Sequence, residues 1–226
     1  MIQVITAFWN DYGTLLIDGT VDTLIMTSIS TLLAYVIGLP IGVIFCLTQA
    51  QGLHPNKPVN AITGWIVNIG RSIPFIILLV AIIPFTRLIA GTSLGIPGAV
   101  VPLVVSAAPF VGRIVEQSIT EVDAGLIEAA QSFGASTWRI ITRVMLPESL
   151  PSLIRGAGIT FINLFGYSAM AGTVGAGGLG DIAIRYGYQR YEYDVMLVAV
   201  VLCVILVQII QSITDSLAAH VDHKHR

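Results

Sequence analysis

The sequence predicts an all-α integral membrane protein: five transmembrane helices, N-terminus out and C-terminus in, with one polar helical elbow between the third and fourth spans. Three observations carry that expectation. Of the 226 residues, 55% are hydrophobic and 11% charged, and the mean hydropathy is +0.85. Soluble domains carry roughly 25% charged residues, so this chain cannot cover itself with a water-facing surface. Five apolar stretches approach the roughly 20 residues needed to cross a bilayer, and only residues 121–147 break the apolar pattern at length in mid-chain. The chain reads as a single transmembrane domain, 1–226.

Taken in order, residues 1–16 repeat Ile2, Ile5, Phe8, Trp9, Tyr12, Leu15 and Leu16 with helical period, which predicts an amphipathic helix lying in the membrane interface. Span 1 is Thr23–Thr48; Gly38 and Gly42 give it a small face for close helix packing, and Pro40 is a candidate kink. Span 2 is Ile62–Phe85. It contains Gly70-Arg71-Ser72-Ile73-Pro74, where Pro74 removes a helix hydrogen bond and predicts a bend or a start. Arg71 is either a side chain snorkelling to the inner interface or a substrate contact. Span 3, Ile96–Gly112, extends through Val115 and carries Pro102 and Pro109.

The elbow follows. Asp123 suits an N-cap, Glu128 to Phe133 are mostly helix formers, and Gly134 sits where a helix ends on a left-handed residue. Ser136 is a candidate cap for a second short helix, Thr137 to Met145, which Pro147 should stop. Span 4, Leu153–Val174, ends in Gly166-Tyr167-Ser168-Ala169-Met170-Ala171-Gly172, with two large soft side chains three apart among small ones. They are either packing residues or the lining of a pathway. Asp181 to Asp194 is polar and tyrosine-rich, fitting an interfacial belt with charges free for docking. Span 5 is Val195–Ile213, and the tail carries His220, His223 and His225, read as a solvated end.

Orientation follows from the basic residues. Lys57, Arg71, Arg113, Arg139, Arg143, Arg155, Lys224 and Arg226 fall on one side, and only Arg87, Arg185 and Arg190 on the other. The richer side is cytoplasmic by the positive-inside rule, which puts the elbow in the cytoplasm.

The same inventory excludes functions. A net charge of −2 gives no basis for nucleic-acid binding. Cys46 and Cys203 lie in apolar runs and read as free thiols, with no metal site. The N-terminus has no basic region, so no cleaved signal peptide is expected. Spans 1, 3 and 5 hold no Asp, Glu, Lys, Arg or His; of these types span 4 holds only Arg155, in its first turn, and span 2 only Arg71. That weakens a stand-alone secondary transporter or channel, the alternative reading, without excluding sodium coupling through carbonyls. The two lysines, Lys57 before Pro58 and Lys224 before His225, cannot complete a phosphate loop. Gly175-Ala-Gly177-Gly178-Leu-Gly180 satisfies a dinucleotide spacing but follows a membrane span rather than a strand. No catalytic cluster converges, so the chain is not expected to be an enzyme. It carries a transport architecture and no fuel site.

Glu128-Ala129-Ala130, then three residues, Gly134, nine residues, Val144, one residue, and Leu146-Pro147 resembles the EAA motif of ABC importer permeases. The resemblance implies a type I importer fold in which Glu128, Ala129, Ala130, Phe133, Gly134, Leu146 and Pro147 form a coupling elbow that docks on an ATP-binding subunit. Arg71-x-x-Pro74 is similar to polar amino-acid permeases of that class. Gly-Tyr-Ser-Ala-Met and the following Gly-Ala-Gly-Gly-Leu-Gly resemble the permeases of its methionine-importing branch. By that resemblance Tyr167, Ser168, Met170 and Arg71 are candidates for the substrate pathway or gate. The resemblance implies a multi-pass protein of the bacterial cytoplasmic (inner) membrane, working by alternating access as a homodimer. Its partners would be two ATP-binding subunits and an extracytoplasmic amino-acid-binding lipoprotein. The chain itself would hold no cofactor, ATP-Mg sitting on the partner subunit.

Overall fold

The computed structural model describes residues 2–222, with side chains from residue 6 onward. His223, Lys224, His225 and Arg226 lie outside the described residues, as do the side chains of Ile2 and Ile5. Among the described residues every regular element is helical: α1 (Ile2–Leu47), α2 (Lys57–Ser72), α3 (Phe75–Ala81), α4 (Ile83–Ala90), α5 (Gly95–Thr120), α6 (Ala124–Ser132), α7 (Thr137–Ile140), α8 (Leu146–Gly172), α9 (Gly178–Ile182) and α10 (Tyr193–Val221). Two π-helical turns, Ile141–Met145 and Ala183–Tyr188, continue α7 into α8 and α9 toward α10.

Among the described residues three helices are long and apolar enough to cross a membrane: α1 from Thr6, α5 and α10. The pair α2 and α3 makes a fourth if its broken halves count as one span. The predicted second span, Ile62–Phe85, is thus broken: α2 and α3 are bent by 99° at Ser72-Ile73-Pro74, and its last residues open α4. The bend expected at Pro74 is real, because a proline at this point ends the hydrogen-bond ladder. The predicted fourth span is α8, 27 residues long but diluted by Gly156, Gly158, Gly166, Ser168 and Gly172.

Two expectations are corrected. The helix expected over 1–16 is not a separate one: residues 2–16 open α1, which runs unbroken for 46 residues. Nothing between Leu16 and Thr23 breaks a helix except Gly19. The N-terminal periodicity marks a packing face: Leu16 is fully buried, and Phe8, Tyr12 and Leu15 pack with it. Pro147 does not stop the helix after the elbow. The ring of a helical proline collides with the carbonyl four residues back, here Arg143. The π turn widens the helix there, with the Leu146 N–H bonding the Ile141 carbonyl, and α8 runs on through Pro147 and Pro151.

The chain divides into two compact units. The first takes in the chain up to Leu32, Ile73–Ser106 and Phe161–Ile210. Its core gathers Leu16, Phe165, Leu179, Ile182, Val195 and Ala199. The glycine string that mimics a dinucleotide motif serves packing here. Gly178 (φ 85°) lies against Thr23 and Met26 of α1, Gly180 against Ala169, and the Leu179 N–H donates to the Thr23 hydroxyl at 2.9 Å. The second unit is Leu33–Ser72, Ala107–Thr160 and the chain from Gln211 on. The predicted small face of α1 is used: Gly38 abuts Ala108 and Val111, and Gly42 abuts Gly112 and Val115, bringing α1 and α5 close. Gly70 packs against Pro109 in the same way.

Candidate functional site

The elbow belongs wholly to the second unit. Asp123 caps α6 as expected, its Oδ1 accepting from the Gly125 N–H at 2.7 Å. At the other end Gly134 adopts φ 73°. Its N–H donates to the Gln131 carbonyl at 2.9 Å and the Ala135 N–H to the Ala130 carbonyl at 3.1 Å. This is a Schellman close, which needs a left-handed residue where Gly134 stands. Ser136 occupies the N-cap position of α7 with extended backbone, but its side chain makes no capping bond. With both ends satisfied locally, α6 needs little help from neighbours, and none of its residues is buried.

That exposure defines the site. Phe133 is 92% exposed and Trp138 73% exposed, on either side of the Gly134 turn. Glu128 and Ala129 are also exposed, and Ala130 is half-buried. Two bare aromatic rings on a polar, self-capped helix pair make a knob without a socket in this chain. Trp138 was not legible as a site residue, because the motif spacing skips it; its aromatic character next to Phe133 is the signal that was available.

Beneath the elbow lies a cavity of about 370 Å³, between the loop after α1 (Gln49 to Leu53), the end of α5 and the α6 residues Ile127, Glu128 and Gln131. The loop is tied on both flanks. A His54 ring nitrogen lies 2.7 Å from the Thr137 hydroxyl, and Gln49 Nε2 donates to Glu116 Oε1 at 2.6 Å. Glu116 is 6% exposed, pairs with Arg113 at 3.0 Å, and Arg113 lies over the Phe45 ring at 5.8 Å. Sequence reasoning missed this cluster, because Arg113 and Glu116 read as ordinary charges past the end of a span. Leu146 and Pro147, expected at the end of the elbow, sit in the first turn of α8.

The pathway candidates separate. Tyr167 stacks face to face on Phe75, ring centroids 4.7 Å apart and planes 3° from parallel. Met170 is 46% exposed. Ser168 points the other way: it is buried and donates to the Phe165 carbonyl of its own helix at 2.7 Å. Arg71 belongs to the other unit, in the last turn of α2, with its guanidinium 5.9 Å from the Phe110 ring centroid. Among the described residues no cluster of His, Cys, Asp and Glu is arranged to hold a metal.

Known proteins resemble the chain closely. Residues 35–226 match the family described as binding-protein-dependent transport system inner membrane component. A Vibrio cholerae protein named probable D-methionine transport system permease is 52% identical over 210 residues, 93% of each chain. The D-methionine transport system permease of Escherichia coli K12 is 51% identical over 158 residues, 70% of this chain and 73% of its own. A solved chain of the MetNI methionine ABC transporter in an inward-facing conformation superposes with a TM-score of 0.93 at 49% identity, covering 94% of this chain and 99% of its own. A chain of an amino acid ABC transporter crystallised with histidines shares the fold at TM-score 0.77 and 19% identity. With the family matched across the elbow and most of the chain, and with relatives half identical over nearly its whole length, the chain belongs to the binding-protein-dependent transport system inner membrane components.

Proposed function

We propose that this chain is the permease subunit of an ATP-driven methionine importer of the bacterial inner membrane, working by alternating access as a homodimer. The observation that carries the proposal is the elbow: a helix capped at both ends, with no buried residue and with Phe133 and Trp138 bare. Exposed aromatic anchors of this kind belong in a partner's pocket. Here the partner is an ATP-binding subunit, with Glu128, Ala129, Ala130, Phe133 and Gly134 at the contact and Leu146 and Pro147 leading motion into α8. One elbow per chain and two ATPase subunits per motor call for two copies of the permease about a two-fold axis. ATP and its magnesium act on the partner. An extracytoplasmic binding protein delivers the amino acid from the other face.

The topology that goes with this function is five spans, N-terminus out and C-terminus in: α1, the bent pair α2 and α3, α5, α8 and α10, within one permease domain whose coupling elbow is 121–147. The methionine assignment draws on the relatives' names and on the solved MetNI chain. Tyr167 and Met170 supply a soft, apolar surface suited to a thioether, with Arg71 a further candidate contact.

The test is uptake of labelled L-methionine into proteoliposomes holding the chain, its co-purifying ATPase and the binding protein. Uptake should require ATP and all three components. Uphill uptake by the chain alone, driven by an ion gradient, would replace this reading with a stand-alone secondary transporter.

A further inference from the structure

We infer that Asn163 is the polar contact for the backbone end of the transported amino acid, on a pathway stripe of α8 that continues through Gly166, Tyr167 and Met170; the inference rests on the importer reading above. The four positions are spaced i, i+3, i+4 and i+7, which puts them on one helix face. They span two turns, about 10 Å at 1.5 Å rise per residue. The opposite face is occupied: Leu164, Phe165, Ser168 and Ala171 are buried in the first unit.

Asn163 is exposed, and among the described residues its amide has no hydrogen-bond partner. A primary amide facing lipid tails would leave two donors and an acceptor unsatisfied, which is costly in a membrane. This face of α8 is therefore turned to water or to a substrate rather than to lipid. Gly166 adds an independent observation: a Cβ built there meets nothing within 4 Å, so the helix leaves open space beside Asn163. One turn on, Tyr167 is held flat by the Phe75 stack, and Met170 presents its thioether.

The chemistry matches the two ends of a zwitterionic amino acid with a soft side chain. A neutral amide can accept from the ammonium and donate to the carboxylate without holding either as tightly as a full charge would. The aromatic pair and the thioether meet the side chain. Weak, neutral contacts suit a pathway that must release what it binds, as conduction requires.

The experiment uses the assembled complex in proteoliposomes with labelled L-methionine, comparing wild type with Asn163→Ala, Asn163→Gln and Gly166→Leu. Asn163→Ala should cut uptake about tenfold or more, the size of one lost hydrogen bond to a charged group. Asn163→Gln should restore part of it, and Gly166→Leu should block uptake by filling the open space, all with the ATPase still co-purifying at wild-type stoichiometry. Normal uptake by Asn163→Ala or Gly166→Leu overturns the inference and leaves the importer reading intact. Loss of uptake together with loss of the assembled complex also overturns it, since it would make the stripe a seam between subunits. A wild-type complex with no ATP-dependent methionine uptake sinks the importer reading, and this inference with it.

Discussion

A His54 ring nitrogen meets the Thr137 hydroxyl at 2.7 Å, and through that contact the loop after α1 is tied to the second helix of the elbow. The loop is itself ordered by backbone bonds, His54 N–H to the Leu47 carbonyl at 3.0 Å and Asn56 N–H to the Thr48 carbonyl at 3.1 Å. Under the coupling role proposed for the elbow, its movement would reach the end of α1 through this contact as well as α8. The contact is exposed, so it adds only about 0.5–1.5 kcal/mol to stability. His54→Ala should fold and assemble normally yet couple poorly. The ratio of ATP hydrolysed to methionine imported, measured in proteoliposomes, should rise a few-fold. An unchanged ratio removes His54 from the coupling route.

Phe133 and Trp138 are exposed and make no packing contribution that truncation would remove, so their loss should cost the isolated chain almost nothing. At an interface, a buried aromatic anchor is worth about 2 kcal/mol or more. Phe133→Ala and Trp138→Ala should therefore leave thermal unfolding of the detergent-solubilised permease unchanged and weaken ATPase binding by about thirtyfold each. Titration of the ATPase subunit onto immobilised permease reads this directly. Loss of melting temperature with no loss of binding would assign both rings to folding instead.

Gly134 isolates a backbone effect. Its φ is 73°, and a Cβ there would meet nothing within 4 Å, so substitution brings conformational strain and no clash. The left-handed region costs an ordinary residue about 1–2 kcal/mol, and Asn and Asp less. Asp would also place a negative charge at the negative end of the α6 dipole. The expected order of damage is Asn, then Asp, then Val. Hydrogen exchange of the α6 amides should quicken in that order, and coupled transport should fall with it. Normal transport and assembly in Gly134→Asp would count against the role given to the elbow.

The elbow was legible because its determinants are local. A cap residue, a run of helix formers and one glycine act within a few residues, and Asp123 and Gly134 do what those types do anywhere. The same holds for Pro74 and its bend. What failed was set by neighbours. Pro147 looked like a terminator because the π turn at Ile141–Met145, which makes room for its ring, leaves no mark in sequence. The N-terminal periodicity was real, but Phe8, Tyr12 and Leu15 pack against protein, and a period alone does not say what a face meets. Ser168 went with Tyr167 and Met170 by proximity in sequence, whereas a step of one residue turns a helix by about 100°. Glu116 was passed over because burial of a carboxylate depends on Gln49, 67 residues away.

Arg113 and Glu116 form a pair whose halves should not cost the same to remove. The Glu116 side chain is 7% exposed and that of Arg113 37%. Arg113→Ala strands a buried carboxylate with Gln49 as its remaining partner, and an uncompensated buried charge is the expensive outcome. Because Arg113 reaches solvent, the cost should fall below that of a fully buried pair, at about 2–4 kcal/mol. Glu116→Gln removes the charge, keeps an acceptor for Gln49 and lets Arg113 turn to water, at about 1 kcal/mol. Thermal unfolding of the purified permease should rank Arg113→Ala well below Glu116→Gln. The double variant Arg113→Ala/Glu116→Gln should recover most of the difference, since it removes the stranded charge. Equal losses in the two single variants would mean that the carboxylate is not held as an ion, and that Gln49, rather than Arg113, fixes the end of α1 against α5.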